Sequence, residues 1–333
     1  MKIRLTQIDG ILPNIALMKL SHYFKNNGDE VYFEKSVNKS MFEPDYDHVF
    51  ASAIFTESKK KIELMKSHFP NTIFGGTGTT NQLTVEQYIE VPEYENYDYA
   101  IYPDYPFSIG FSQRGCRLKC PFCVVPNKEG KNVSINTMDE LYRGEPFPKN
   151  IVLLDNDFFG QSDWESKCNN IIDGNYKVSF SQGINIRLFN EEQTEYLSRI
   201  KCYDRKFKRK YIYTAWDNAK DEKRFFKGIN LLIDKGGFKP YQISVYFLCN
   251  YWQGGLTEDI WFRYKRMMEI GLRPYCMIFD KSLLPPKHDL KAFQNWINTH
   301  NHIKKPTREG FEEYKIYYHR KNKHVDKSQI ELF

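Results

Sequence analysis

Cysteines at 116, 120 and 123 stand in the run Cys116-Arg117-Leu118-Lys119-Cys120-Pro121-Phe122-Cys123, spaced C-x3-C-x2-C directly after the apolar stretch Phe107 to Phe111. Such close spacing lets one short loop direct three thiolates at one metal centre, and soft thiolates select zinc, copper(I) or iron and sulfur. Three ligands on a four-iron cluster leave one iron open to a small molecule, whereas tetrahedral zinc needs a fourth ligand that this loop does not visibly supply. The plain alternative is three small residues buried in a core. Cys168, Cys202, Cys249 and Cys276 are scattered, and the sparse histidines, His300 and His302 among them, form no ligand motif. One metal centre is therefore the expectation.

Three polar constellations follow apolar, strand-like runs. Asp155-Asn156-Asp157 comes first, and strand alternation sends Asp155 and Asp157 the same way. Gln182-Gly183-Ile184-Asn185-Ile186-Arg187 is next, with an arginine fork suited to a carboxylate. Trp216-Asp217 is the third. Each has an ordinary counterpart: a turn or helix cap for the aspartates, a structural ion pair for Arg187, core packing for Trp216.

The cysteine run resembles the cluster loop of the radical S-adenosylmethionine (SAM) enzymes, whose pattern is C-x3-C-x-aromatic-C, with Phe122 in the aromatic slot. The resemblance implies a four-iron four-sulfur cluster on Cys116, Cys120 and Cys123, its fourth iron chelated by the amino and carboxylate groups of SAM, with the backbone beside Phe122 against the adenine. It makes Asp155 and Asp157 candidates for the SAM ammonium, Gln182 and Asn185 for the ribose hydroxyls, Arg187 for the SAM carboxylate, and Trp216 and Asp217 for the substrate side. The segment from Gln182 resembles a Q-G-x-D-x-R loop of some relatives, with Asn185 where they carry aspartate. The implied activity is reductive cleavage of SAM to a 5′-deoxyadenosyl radical, fed by an electron donor such as flavodoxin or ferredoxin. The substrate is open between nucleic acid, peptide and small molecule. Two other readings stand beside it: a catalytically inert iron-sulfur protein that binds nucleic acid, and a cobalamin-assisted methyltransferase.

The elements that must position these residues read as α/β throughout. Lys2 to Ile8, Asp29 to Phe33, His48 to Phe55 and Asn71 to Phe74 are strands alternating with helices after Pro13 and from Glu57 to His68, which argues a small parallel-sheet domain over 1–80. This part resembles a degenerate form of the cobalamin-binding-like domain that precedes the core in one branch of the same superfamily. Members that hold cobalamin offer a histidine after the first strand; Asp9-Gly10-Ile11-Leu12 has none, and His22 falls within the first helix, so histidine-ligated cobalamin is not expected. Residues 81–106 read as a connector. From 107 to 284 a strand-then-helix beat gives six units, the strands ending in polar residues, as a barrel with its site at the carboxyl ends requires. The expectation is a partial (β/α)6 TIM-type barrel, followed by a basic, aromatic extension over 285–333.

The 333 residues, 41% of them hydrophobic, suffice for one large domain and a smaller one. Seven cysteines and no apolar leader point to a reducing, cytoplasmic setting, and no apolar run approaches a membrane span. The net charge of +6 is modest but uneven: Lys206 to Lys210 and Lys315 to Lys327 are dense in base and could meet phosphates, or simply face water.

Overall fold

The computed structural model describes residues 1–79 and 83–321. The chain divides into two compact units, Met1–Phe107 with Arg143–Pro148, and Ser108–Tyr142 with Lys149–Phe333. The first unit contains β1 (Lys2–Gln7), α1 (Ile15–Asn26), β2 (Glu30–Glu34), β3 (His48–Ser52), α2 (Lys59–His68), β4 (Ile73–Gly75) and α3 (Val85–Ile89). Its four strands are parallel in the order β2-β1-β3-β4. Asn14 starts α1 by accepting from the Leu17 amide at 3.2 Å, and Leu17, Met18, Leu20 and Phe24 bury the helix face. The stretch read as a connector packs on α1: Asp98 accepts from Ser21 Oγ at 2.6 Å, and the Tyr102 hydroxyl donates to Gln7 Oε1 at 2.9 Å.

The second unit runs through β5 (Ser108–Gly110), β6 (Gln113–Arg114), α4 (Val125–Lys128), β7 (Val133–Ser134), α5 (Met138–Leu141), β8 (Asn150–Leu153), α6 (Trp164–Asp173) and β9 (Lys177–Phe180). It continues with α7 (Glu191–Arg199), β10 (Lys201–Cys202), β11 (Ile212–Ala215), α8 (Glu222–Asp234), β12 (Ile243–Cys249), α9 (Glu258–Ile270), β13 (Arg273–Ile278), α10 (Asp289–Asn298) and α11 (Arg308–Lys321). Two parallel sheets, β10-β9-β8-β5 and β11-β12-β13, are linked by a parallel bridge between Ile184 and Thr214. Among the described residues they form no closed barrel. Ile151, Val152 and Leu153 of β8 are wholly buried, as strands covered on both faces must be.

Residues 285–321 belong to the body of this unit. Asn298 accepts from the Cys276 amide at 2.9 Å while Asn298 Nδ2 and Gln294 Nε2 donate to its carbonyl at 3.0 and 3.1 Å, so side chains of α10 take the place of a further strand beside β13. Phe311 of α11 is buried against Trp261, Phe293 and Trp296. Lys315 is paired with Asp289 and Glu312, so it is not a free base, and the part of the basic run beyond Lys321 lies outside the described residues. No helix among the described residues is long and apolar enough to cross a membrane.

Candidate functional site

The cysteine loop leaves β6 and returns through β7, two short strands paired antiparallel with Gln113 opposite Ser134 and Arg114 opposite Val133. Gly115 makes the exit at φ +74°, where a Cβ would stand 2.6 Å from the Lys131 carbonyl carbon and closer still to its oxygen. Only glycine meets both demands. Glu129 then ties the two ends of the loop together, accepting from Arg114 Nε at 2.9 Å, the Gly115 amide at 3.1 Å and Asn156 Nδ2 at 2.9 Å.

The turn after β8 is the other half of this frame. Asp155 is buried and accepts from the Ser112 amide at 2.8 Å, the Ser112 hydroxyl and the Gln113 amide at 3.2 Å. Burial pushes its carboxyl up to about 7 against the pull of those donors. Asp157, wholly buried, accepts from Arg117 Nε at 2.9 Å, the Arg117 amide at 3.3 Å and Asn132 Nδ2 at 3.3 Å through one oxygen, while its Oδ1 has no hydrogen-bond partner among the described residues. Gln113 locks turn to loop by accepting from the Asp157 amide at 2.9 Å and donating to the Gly115 carbonyl at 2.7 Å. Asp155 and Asp157 thus both serve the cysteine loop, from different sides of it.

Cys116, Cys120 and Cys123 are half-buried free thiols. Burial pushes the Cys116 thiol up to about 11, the Leu118 amide pulls it back, and Asp157 and the other two cysteines add to the rise. Cys123 is likewise raised by burial, with Cys120, Asp217 and Glu129 adding to it. Two of the sulfurs accept hydrogen bonds: Cys116 from the Leu118 amide at 3.4 Å and Cys120 from Arg187 Nη2 at 3.6 Å, while the Val125 amide opposes the rise at Cys123. Among the described residues no group of three or more Cys, His, Asp or Glu side chains converges as a single ion would require. A polynuclear cluster asks for something wider, since each thiolate takes a different iron.

Arg187 sits on a short turn after β9, pairing with Asp221 at 3.0 Å while it reaches Cys120. Burial lowers its pKa, and Cys120 and Asp221 outweigh that and raise it. Gln182 is exposed and Asn185 half-buried, on the same segment. Facing the loop is an aromatic wall: Phe122 lies 5.5 Å from Tyr251 and 6.2 Å from Trp252, and Tyr251 lies 4.9 Å from Phe279. Asp217 holds this wall, its carboxylate accepting from the Leu248 amide at 3.1 Å and its carbonyl from Trp252 Nε1 at 3.0 Å. Burial pushes the Asp217 carboxyl up to about 6, less than it would without Arg263 and Arg187. A cleft of about 300 Å³ opens beside the wall, lined by Asn218, Asn250, Tyr251, Trp252 and Arg263 among others.

Trp216 corrects its assignment to the substrate side. It is wholly buried, stacked on Phe225 at 4.7 Å, with its indole N–H spent on the Asn218 carbonyl at 2.8 Å. A side chain on the helix-covered face of a strand meets the core. Arg263 escaped sequence reading altogether. Buried on α9, one turn after Asp259, it donates to the carbonyls of Trp216 at 3.0 Å and Leu248 at 2.9 Å and to Asp259, clamping the ends of β11 and β12. The i, i+4 pair with Asp259 was visible in the sequence, but not its burial. Gln113 and Glu129 gave no signal either, because their partners come from loops.

In the first unit, Asp9 accepts from the Ile54 and Phe55 amides at 2.7 and 3.1 Å and from Ser58 Oγ at 2.6 Å, filling the donors at the carboxyl end of β3. His22 on α1 is engaged by the Tyr94 hydroxyl at 2.6 Å.

No family model and no curated protein matches this chain.

Proposed function

We propose that the protein is a radical SAM enzyme whose second unit is a partial, laterally open (β/α)6 barrel built from β5, β8, β9, β11, β12 and β13. The observation that carries this reading is the C-x3-C-x-aromatic-C loop, framed by buried carboxylates and with hydrogen-bond donors on the sulfurs of Cys116 and Cys120. The thiols of Cys116 and Cys123, held high by burial, give up their protons to a bound cation, and donors aimed at the sulfurs stabilise the thiolates that result. The donor set fits a four-iron four-sulfur cluster on Cys116, Cys120 and Cys123. When bound, that cluster supplies one electron to the SAM sulfonium, releasing methionine and a 5′-deoxyadenosyl radical that takes a hydrogen atom from the substrate.

The chain's own residues do the positioning. Arg187 offsets the charge of Cys120 and keeps part of its planar fork for the SAM carboxylate. Asp157, with one unpartnered oxygen next to the cysteines, is the carboxylate we assign to the SAM ammonium, while Asp155 anchors the loop. To the ribose hydroxyls we assign Gln182 and Asn185, the polar side chains of the same segment. The wall of Phe122, Tyr251 and Trp252 excludes water from the adenine and the reacting carbon. Electrons come from a flavodoxin- or ferredoxin-type donor, and histidine-ligated cobalamin is no part of this reading, since the turn after β1 offers no histidine.

The test is anaerobic reconstitution followed by reduction with dithionite in the presence of SAM. We expect 5′-deoxyadenosine from the wild type and none from Cys116→Ala, Cys120→Ala or Cys123→Ala. Arg187→Ala should keep its iron and bind SAM at least about tenfold more weakly, the loss of a charge-assisted contact. Stoichiometric zinc without iron, or iron without SAM cleavage, would remove the proposal; the latter would leave an inert iron-sulfur protein.

A further inference from the structure

The sheet β11-β12-β13 has two unlike faces. On one, Ile243, Val245, Phe247 and Cys249 are buried, and Phe247 lies 6.5 Å from Phe293 of α10. On the other, tyrosines stand in a row: Tyr211 meets Tyr213 at 5.2 Å, Tyr213 stacks on Tyr246 at 5.8 Å with planes 12° apart, and Tyr246 meets Tyr275 at 5.5 Å. Exposure grows towards the edge strand, reaching 40% at Tyr275 and 47% at Met277. Alternation along β13 carries this face on to Phe279, which touches Tyr251 and through it Phe122. An aromatic stripe about 20 Å long, the length of β12, thus leads to the cysteine loop.

Base gathers at its far end. The turn from Tyr203 to Tyr211 carries Arg205, Lys206, Lys208, Arg209 and Lys210 against the single acid Asp204. Asp204 orders the turn by accepting from the Lys206 and Lys208 amides at 3.2 and 2.9 Å, and it pairs with Arg209, whose guanidinium lies 5.0 Å over the Tyr211 ring. Arg205 acts on the hydroxyls of both Tyr213 and Tyr246, opposing the rise that burial gives them, and Arg273 and Arg209 both act on His300. The excess positive charge therefore lies beside the tyrosine row.

We propose that this face receives single-stranded nucleic acid, which makes a polynucleotide the substrate class of the site; the inference rests on the function proposed above for where the chemistry occurs. Exposed bases neutralise phosphates while rings stack on nucleobases of any sequence. A peptide adding to the sheet would need the free edge of β13, and Asn298 and Gln294 already occupy the backbone of Cys276 there.

The experiment is fluorescence anisotropy of the full-length protein with labelled single-stranded RNA of about twelve nucleotides, across a salt series and without SAM or reductant. The logarithm of affinity should fall linearly with the logarithm of salt, and Arg205→Ala and Lys208→Ala should each reduce the slope by about 0.7. Tyr275→Ala should weaken binding at least about fivefold, with Tyr275→Phe restoring it. Absence of binding at low salt, equal affinity in a folded Tyr275→Ala protein, or an uncharged peptide that binds as tightly and competes would each overturn the proposal. SAM cleavage plays no part in this readout, so either assay can fail while the other succeeds.

Discussion

Replacing Gly115 by alanine tests whether the frame around the cysteines, and not the cysteines alone, makes the site. A Cβ at 115 would stand 2.6 Å from the Lys131 carbonyl carbon, whereas carbons rest at about 3.5–4.0 Å, so the turn must retreat by about 1 Å. The left-handed backbone adds about 1–2 kcal/mol. A displacement of that size at a site held by fixed ligands costs on the order of a hundredfold in function, and we expect iron loading on reconstitution to fall about tenfold or more. Gly130→Ala is the control: its φ is also +74°, but nothing lies within 4 Å of the added Cβ, so it carries the conformational cost without the collision. Iron and sulfide analysis of wild type, Gly115→Ala and Gly130→Ala, with far-ultraviolet circular dichroism to confirm folding, reads the difference. A folded Gly115→Ala protein that loads iron as well as Gly130→Ala would refute the reasoning.

Burial lowers the His302 pKa to about 4 from 6.5, so between those values the unfolded chain takes up a proton that the folded chain refuses. Stability present above pH 6.5 should therefore be lost as pH falls towards 4, by about 3 kcal/mol; urea titrations of the apoprotein should show this slope, and His302→Phe should flatten it. Trp216→Ala should destabilise the second unit by about 3–5 kcal/mol, as removal of a large buried ring does, measured by urea unfolding; a loss below about 1 kcal/mol would contradict its place in the core.

Sequence alone determined the elements and the cysteine loop. Cysteine spacing is a local property of a short loop, and period-two and period-3.6 patterns with turn residues between them mark parallel strands and crossover helices. The six strands expected from Phe107 to Phe279 are all present in the structure, as is the four-stranded sheet before them. The two-residue ladder of β6 and β7 was illegible, because so short a pairing has no period to read. Tertiary structure alone decided what each polar side chain faces. Asp155 and Asp157 lie two positions apart, yet one is held by Ser112 and Gln113 and the other by Arg117 and Asn132. Trp216 entered the core and its neighbour Asp217 turned to the Leu248 amide because successive residues at a strand end take opposite sides. The tyrosine row exists only through strand register, which sets Tyr246 beside Tyr275 although 28 residues separate them in the chain. Burial and charge depend on distances through space, and a sequence specifies those only once the chain has closed on itself.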